Sequence, residues 1–460
     1  MKVCLINPPW EIKKGSIWSQ VKSSMPALGL LYIAAYLENK GIECDVLDFQ
    51  ATLASQEEIE ATIRIGHYDF YGITATTPLA HNAYRISRFI KQEKTGSKVV
   101  IGGVHPTALP EESFAEGDAD YVVRGEGEEI FYRLVSGEEA AFIDGVSYAK
   151  DGKVTHVGPA GIVHDLDSLP YPAFHKVNLS LYKPAVGAYK RTPAINMTAT
   201  RGCPGKCTFC NSAAIKLRKR SAQHIFGEME MLVKKYGIKE ICFYDDTFTV
   251  YPENIKKLCA LIVENRLDIT WSCFARTDCV NDGMFAQMKL AGCHQVMYGI
   301  ESANQQILVN IKKPIQKEQN IFAVALAKKH GITSRCTFML GNPGETPETI
   351  DETINFALEL NPDIALFNIT VPYPGTEMFD WADKNGYLLT KDWREYDLSV
   401  PVMSLPDAPV ETLQLKYKEA FRRFYFRPIY VLRQMKRLLS FSDLRILLDG
   451  VKSLLRFAKS

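Results

Sequence analysis

Several things are scarce or missing in this chain, and each absence narrows what it can do. No apolar run reaches the roughly 18 residues that a membrane-crossing helix needs. No sign of charge prevails: the formal net charge is +1, so the whole molecule has no bulk electrostatic pull towards nucleic acid. No low-complexity tract interrupts the 460 residues, a length that accommodates two or three globular domains. The eleven cysteines are odd in number and scattered, which argues against a disulfide framework and for reduced thiols in the cytoplasm. Residues 1–6 make too short an apolar run for a signal peptide and read as a first strand. No Gly-x-Gly-x-x-Gly follows that strand, so a nicotinamide dinucleotide is not expected.

What is present centres on Cys203-Pro204-Gly205-Lys206-Cys207-Thr208-Phe209-Cys210, after an apolar strand over 194–200. Thiolates are soft ligands suited to zinc or to iron–sulfur centres. Structural zinc requires four ligands, and neither His224 nor Cys242, next along the chain, has the short spacing of a zinc finger. Three thiolates on one Gly- and Pro-rich loop fit better a 4Fe–4S cluster with one iron left open. The other eight cysteines lack ligand spacing and read as core or bystander residues; Cys273, Cys279 and Cys336 lie close enough to strand ends to touch a substrate.

Residues 1–137 alternate short apolar runs (3–6, 44–47, 70–74, 98–101, 121–123) with helical patterns such as 28–37 and 83–91. This rhythm predicts a doubly wound parallel sheet whose ligand sits beyond the carboxyl ends of its strands. Those ends are tight or polar: Gly72 to Thr77, Gly102-Gly103-Val104-His105-Pro106-Thr107 and Arg124-Gly125-Glu126-Gly127-Glu128. Residues 138–192 read as a connector, with a hairpin about Asp151-Gly152 and a stiff Leu169-Pro170-Tyr171-Pro172. From 193 to 400, strands at 194–200, 240–245, 269–274, 295–300, 334–340 and 364–369 alternate with helices. Six such units predict a partial (β/α)6 barrel with chemistry at the carboxyl ends of its strands. The fold class expected is thus α/β, a doubly wound domain followed by the partial barrel and a helical tail over 401–460.

CxxxCxxC with Phe209 before its last cysteine resembles the signature of the radical S-adenosylmethionine enzymes. The first domain resembles the cobalamin-binding domain that precedes the radical domain in one large subgroup. Pro26-Ala27-Leu28-Gly29-Leu30, Gly102 to Thr107 and Arg124 to Glu128 carry that likeness. The resemblance implies three cofactors: a 4Fe–4S cluster on Cys203, Cys207 and Cys210, S-adenosylmethionine, and cobalamin. For S-adenosylmethionine it implies contacts from Phe209, Asp245, Asp246, Arg276, Glu301 and Ser302. Either aspartate can accept the ammonium, Arg276 can meet the carboxylate, and Glu301 with Ser302 can bond the ribose. Helix capping is the competing role for such residues and is the one expected of Thr346. For cobalamin the implied contacts are Thr74, Thr76, Thr77, Gly102, Gly103, His105, Gly125 and Glu126. The DxHxxG motif whose histidine ligates cobalt is absent, so the corrin is expected to rest on the 74–77 loop. For His105 a turn residue bonded to backbone ahead of Pro106 is expected in preference to a cobalt ligand.

The family chemistry then implied is reductive cleavage of S-adenosylmethionine, hydrogen abstraction from an unactivated carbon, and methyl delivery from methylcobalamin. The expected substrate is a small or lipid-like molecule, not nucleic acid, with a reductase, flavodoxin or ferredoxin as electron donor. A cyclase or ring-rearranging enzyme without methyl transfer shares the same domain order and stands as the alternative. A non-catalytic cobalamin carrier would have no use for the three cysteines. Finally, residues 422–460 hold ten Lys or Arg against two Asp, interleaved with apolar residues. Such a stretch can touch a membrane surface peripherally or pack its apolar stripe on the barrel.

Overall fold

A computed structural model describes residues 1–11, 24–185, 187–428, 430 and 432. The first sheet contains β1 (Lys2–Asn7), β2 (Glu43–Asp48), β3 (Phe70–Thr74), β4 (Lys98–Gly102), β5 (Tyr121–Val123), β6 (Val146–Lys150) and β7 (Lys153–His156). Their order is β2-β1-β3-β4-β5-β6-β7. The first five are parallel; the inner strands β1, β3 and β4 are largely apolar because both their faces are buried, whereas β2 at the edge carries Glu43, Asp45 and Asp48. Val3 and Leu5 face the helices Leu28–Asn39 and Glu128–Val135, while Cys4 and Ile6 face Gln56–Ile65 and Ala80–Glu93.

The hairpin expected in the connector belongs to this sheet instead. β6 pairs antiparallel with β5 and extends the sheet past its parallel part. β5 has only three residues, and an uncovered edge there would leave its backbone groups unpaired. Asp151 and Gly152, both at positive φ, make the reversal.

The second sheet is all parallel: β8 (Ala194–Met197), β11 (Glu240–Phe243), β12 (Thr270–Ala275), β13 (Cys293–Glu301), β14 (Thr333–Leu340) and β15 (Ile364–Ile369). Its order, β15-β14-β13-β12-β11-β8, leaves the two end strands unpaired with each other, so the barrel is open. A small antiparallel pair, β9 (Thr200–Arg201) with β10 (Arg218–Lys219), follows β8 and closes off the cysteine loop between them.

The two halves share their packing. Val371, Phe379, Trp393, Tyr396 and Val402, which come after the barrel strands, join the core formed by Ile73, Tyr84 and Ile101 of the first half. Arg201 pairs with Glu128 at 2.8 Å across the junction, and Arg218 grips both oxygens of Glu126 at 2.8 Å. Helix Val410–Tyr425 buries Leu413, Tyr417, Phe421 and Phe424 against the barrel. Arg423 donates to Asn355 and Arg427 to the Leu358 carbonyl, so the first part of the basic stretch is docked on protein. The basic stretch beyond 432 lies outside the described residues. Among the described residues no helix is long and apolar enough to cross a membrane.

Candidate functional site

The loop between β9 and β10 is built to hold three thiols at one place. Gly202 turns the chain into it at a φ of +85°, where a Cβ would lie 2.8 Å from the Ile215 carbonyl oxygen. Cys203 N–H donates to that same oxygen at 3.2 Å, and Ala214 N–H donates to Gly205 at 2.7 Å, which cross-links the loop. Thr208 ties it to the barrel, donating to Ile311 and accepting from Met378 at 2.9 Å. A Cβ at Gly205 would crowd Cys203 Sγ at 3.3 Å and touch Arg276 Nη1 at 3.4 Å and Cys207 Sγ at 3.9 Å, so glycine there gives the thiols room. All three cysteines are half-buried free thiols. Among the described residues no three His, Cys, Asp or Glu converge as one metal ion requires. A cubane distributes three thiolates over three irons and needs no such convergence. Burial pushes Cys210 up to about 11, and it raises Cys207 against the opposing pull of Lys313 and Arg276. Loading of iron must therefore release protons.

A cavity of about 300 Å3 runs under the strand ends of the first sheet. Leu5, Val100, Val123 and Phe131 make its apolar wall, Gly102, Gly103, Gly125 and Gly127 its backbone-lined rim, and Thr198 and Arg201 its far end. Gly103 holds a φ of +109°, and a Cβ there would strike the Ala75 carbonyl oxygen at 2.6 Å. A second cleft of about 410 Å3 shares Leu28, Gly29, Leu30 and Thr74 with it and adds Thr76 and Trp10. A long, mostly apolar groove with glycine edges is what a bulky planar ligand with an extended tail needs.

Known proteins bear on this geometry. Residues 17–135 match the B12 binding domain, and residues 197–357 match the Radical SAM superfamily. An uncharacterized methyltransferase of Pyrococcus horikoshii is 36% identical over 443 residues, 95% of each chain. The chain belongs to the cobalamin-dependent radical S-adenosylmethionine enzymes. The enzyme is also 28% identical over 449 residues to the anaerobic magnesium-protoporphyrin IX monomethyl ester cyclase of Rubrivivax gelatinosus, covering 94% of this chain and 78% of that one. In fold it is similar to the cobalamin-dependent S-adenosylmethionine radical enzyme OxsB with aqua-cobalamin bound, at a TM-score of 0.76 and 17% identity, over 99% of this chain and 72% of that one. Its cofactors are a 4Fe–4S cluster, S-adenosylmethionine and cobalamin, and the thiol loop and the groove fit the first and the last.

Placed in this frame, several expected contacts of the enzyme have other tasks. His105 is fully buried and turned away from the groove. Its Nδ1 meets Thr77 Oγ1 and its Nε2 meets Glu112, each at 3.3 Å, and its ring packs on Trp393. Thr77, buried with it, does not line the cavity. Glu126 lines the groove, but its carboxylate is engaged by Arg218 and by Val163 N–H, and it joins the halves of the molecule. Asp245 is buried, and its Oδ1 accepts from Ala199 N–H, Thr200 N–H and Thr200 Oγ1. It braces the entry to the cysteine loop, and burial raises it to about 7. Ser302 is fully buried against Thr353 Oγ1 at 3.2 Å and accepts from Asn304 N–H. Thr346 caps helix Pro347–Leu360 through Thr349 N–H, as its sequence context suggests.

Asp246, in contrast, is exposed and close enough to Cys210 to raise it. Phe209 is half-buried against the barrel core. Arg276 stands beside Cys203 and is held in a fork by Asp278 at 2.7 and 3.0 Å. Glu301 occupies an irregular point of the β13–β14 ladder at a φ of +66°, unusual for a residue with a Cβ. It pairs with Lys313 at 2.6 Å. Lys313 escaped the sequence reading, because nothing in Lys312-Lys313-Pro314 marks one of two adjacent lysines as inward.

Glu345 is a second buried carboxylate near the strand ends. Its Oε2 accepts from Gly341 N–H at 2.5 Å and Asn342 N–H at 2.8 Å, its Oε1 has no partner, and burial lifts it to about 7. Between the ordinary carboxylate range and pH 7 the unfolded chain has lost a proton that the folded chain keeps. Its contribution to stability is therefore full at low pH and is lost as pH rises towards 7. Glu345→Gln, permanently neutral, should gain in melting temperature relative to wild type between pH 5 and pH 8. Melting curves that stay parallel over that interval would refute the assignment.

Proposed function

We propose that the enzyme methylates an unactivated carbon of a small-molecule or lipid-like substrate. One observation carries this reading: the cobalamin groove ends at Thr198 and Arg201, and Arg201 is two residues before the first cluster cysteine. When bound, the cofactors supply radical generation at the cluster and a transferable methyl group at the corrin. The chain's own residues position and shield. Asp246 offers a carboxylate to the ammonium of S-adenosylmethionine beside Cys210. Arg276, its fork oriented by Asp278, offers a cation near Cys203. Ile311 and Met378 close the loop by backbone bonds to Thr208. Electrons reach the cluster from a reductase, flavodoxin or ferredoxin.

Reduced, cofactor-loaded enzyme given methyl-deuterated S-adenosylmethionine and anaerobic cell extract tests this. Label should appear in a new product together with 5′-deoxyadenosine. 5′-Deoxyadenosine with no label in any product would overturn methyl transfer and favour rearrangement or ring formation, the latter being the chemistry named for the Rubrivivax relative.

A further inference from the structure

The strands of the barrel alternate in the direction of their side chains. On β14, Cys336 and Phe338 pack into the core under the helices, so Arg335 and Thr337, which alternate with them, face the hollow side. β11 is separated from β14 by β12 and β13. Yet Tyr244, next after β11, and Cys242 on it are electrostatic neighbours of Arg335, which they can meet only across that hollow. Tyr244 is 43% exposed, but burial still pushes its hydroxyl up to about 12, as befits an enclosed space open to solvent. Phe274 stands edge-on to it at 5.6 Å, and Met297 is the register partner of Arg335. Tyr244, Phe274 and Met297 thus set aromatic and apolar surface beside the Arg335 guanidinium.

That guanidinium is anomalous in this molecule. Arg201, Arg218 and Arg220 are also withdrawn from water, and each has a carboxylate: Glu128, Glu126 and Glu228. Arg335 forms no hydrogen bond or ion pair among the described residues, and its Nε is buried without a partner. Tyr425, its remaining neighbour, gives its hydroxyl to the Ala365 carbonyl. Its three neighbours are uncharged at neutral pH, and burial draws Arg335 below the usual arginine range. A half-buried cation whose buried Nε has no partner among the described residues is costly to keep in a folded chain and is retained where a ligand completes it.

Building on the methyl-transfer reading, we propose that the substrate enters this hollow and that Arg335 binds an oxyanion on it. The substrate class is then an acid, carboxylic or phosphoryl, on an otherwise apolar body. The planar fork of an arginine matches either group with two parallel hydrogen bonds. Tyr244 leads directly into Asp245 and Asp246, so a body lying along it points from Arg335 towards the cluster loop.

Cofactor-loaded enzyme, kept anaerobic, is titrated by calorimetry with decanoate, decyl phosphate and decanol. Wild type should bind at least one oxyanion about tenfold or more tightly than decanol, and the better of the two identifies carboxylate or phosphoryl. Arg335→Gln should lose that preference, Arg335→Lys should keep part of it, and decanol should bind all three proteins alike. Arg335→Met should melt at or above the wild-type temperature without ligand and show no upward shift with either oxyanion. No oxyanion preference in wild type, or full preference in Arg335→Gln, would overturn the proposal. None of these measurements needs turnover. Label transfer without oxyanion preference retires this inference alone, and oxyanion preference without label transfer retires the methyl-transfer reading alone.

Discussion

Replacing Cys203, Cys207 or Cys210 by alanine, one at a time, will abolish reductive cleavage of S-adenosylmethionine while cobalamin remains bound. Each thiol would hold a different iron of the cluster, and losing one would leave that iron without its protein ligand. The remaining cysteines are buried in the core, except Cys279, which lies beside Asp278. The loop itself should survive, because its cross-links run through the backbone of Cys203, Gly205, Ala214 and Ile215 and not through the thiols. The groove proposed for cobalamin is lined mainly by the first half of the chain, with Thr198 and Arg201 added from the second. Iron analysis, the paramagnetic spectrum of the reduced cluster and a cobalamin absorption spectrum on the same sample separate these effects. Wild-type iron content in all three variants would remove the cluster from this loop. Loss of cobalamin together with iron would show that the loop and the groove are one folding unit.

The second large effect is on stability. Arg220 and Glu228 meet at 2.5 Å with almost no access to solvent. Arg220 also donates to the Thr198 carbonyl at 2.8 Å and to Tyr32, a residue of the cobalamin groove, at 3.3 Å. Glu228 has no other partner among the described residues, so burial pushes its carboxyl up, while the pairing keeps Arg220 charged. Glu228→Ala strands the guanidinium in the interior and should cost about 3–5 kcal/mol of unfolding free energy. Arg220→Met combined with Glu228→Leu removes both charges and should cost far less, since neither partner is then left alone. Denaturant unfolding of the two variants is the comparison. Equal losses would mean that the pair acts through packing and not through charge.

Much of this architecture was legible because it depends on local pattern. The barrel strands expected at 334–340 and 364–369 occur at Thr333–Leu340 and Ile364–Ile369, where apolar runs end at Gly341 and before Val371-Pro372. The cysteine loop was legible because ligand spacing and the flanking glycines are adjacent in sequence. The roles that depend on a distant partner were not. Ser302 meets Thr353, Glu126 meets Arg218, and His105 meets Trp393, each a contact that only the tertiary fold creates. Asp245 and Asp246 show the limit within one dipeptide. Turned inward, Asp245 became a backbone acceptor, and Asp246 was left free. Arg335 did carry a signal, a lone charge inside the otherwise uncharged strand pattern of 334–340, which strand propensity alone does not weigh.

The return of 371–402 to the first half bears on how enzymes of this kind can be recombined. Trp393 donates to Glu112 at 2.9 Å, and with Val371, Phe379, Tyr396 and Val402 it completes a core whose other buried members come before residue 102. A chimera that exchanges cobalamin domains at the 138–192 connector would therefore join a foreign helix surface to a native Trp393. Grafts should tolerate such an exchange only if the 371–402 segment travels with the amino-terminal half. The exchangeable unit is a discontinuous one, two stretches of gene separated by the whole barrel.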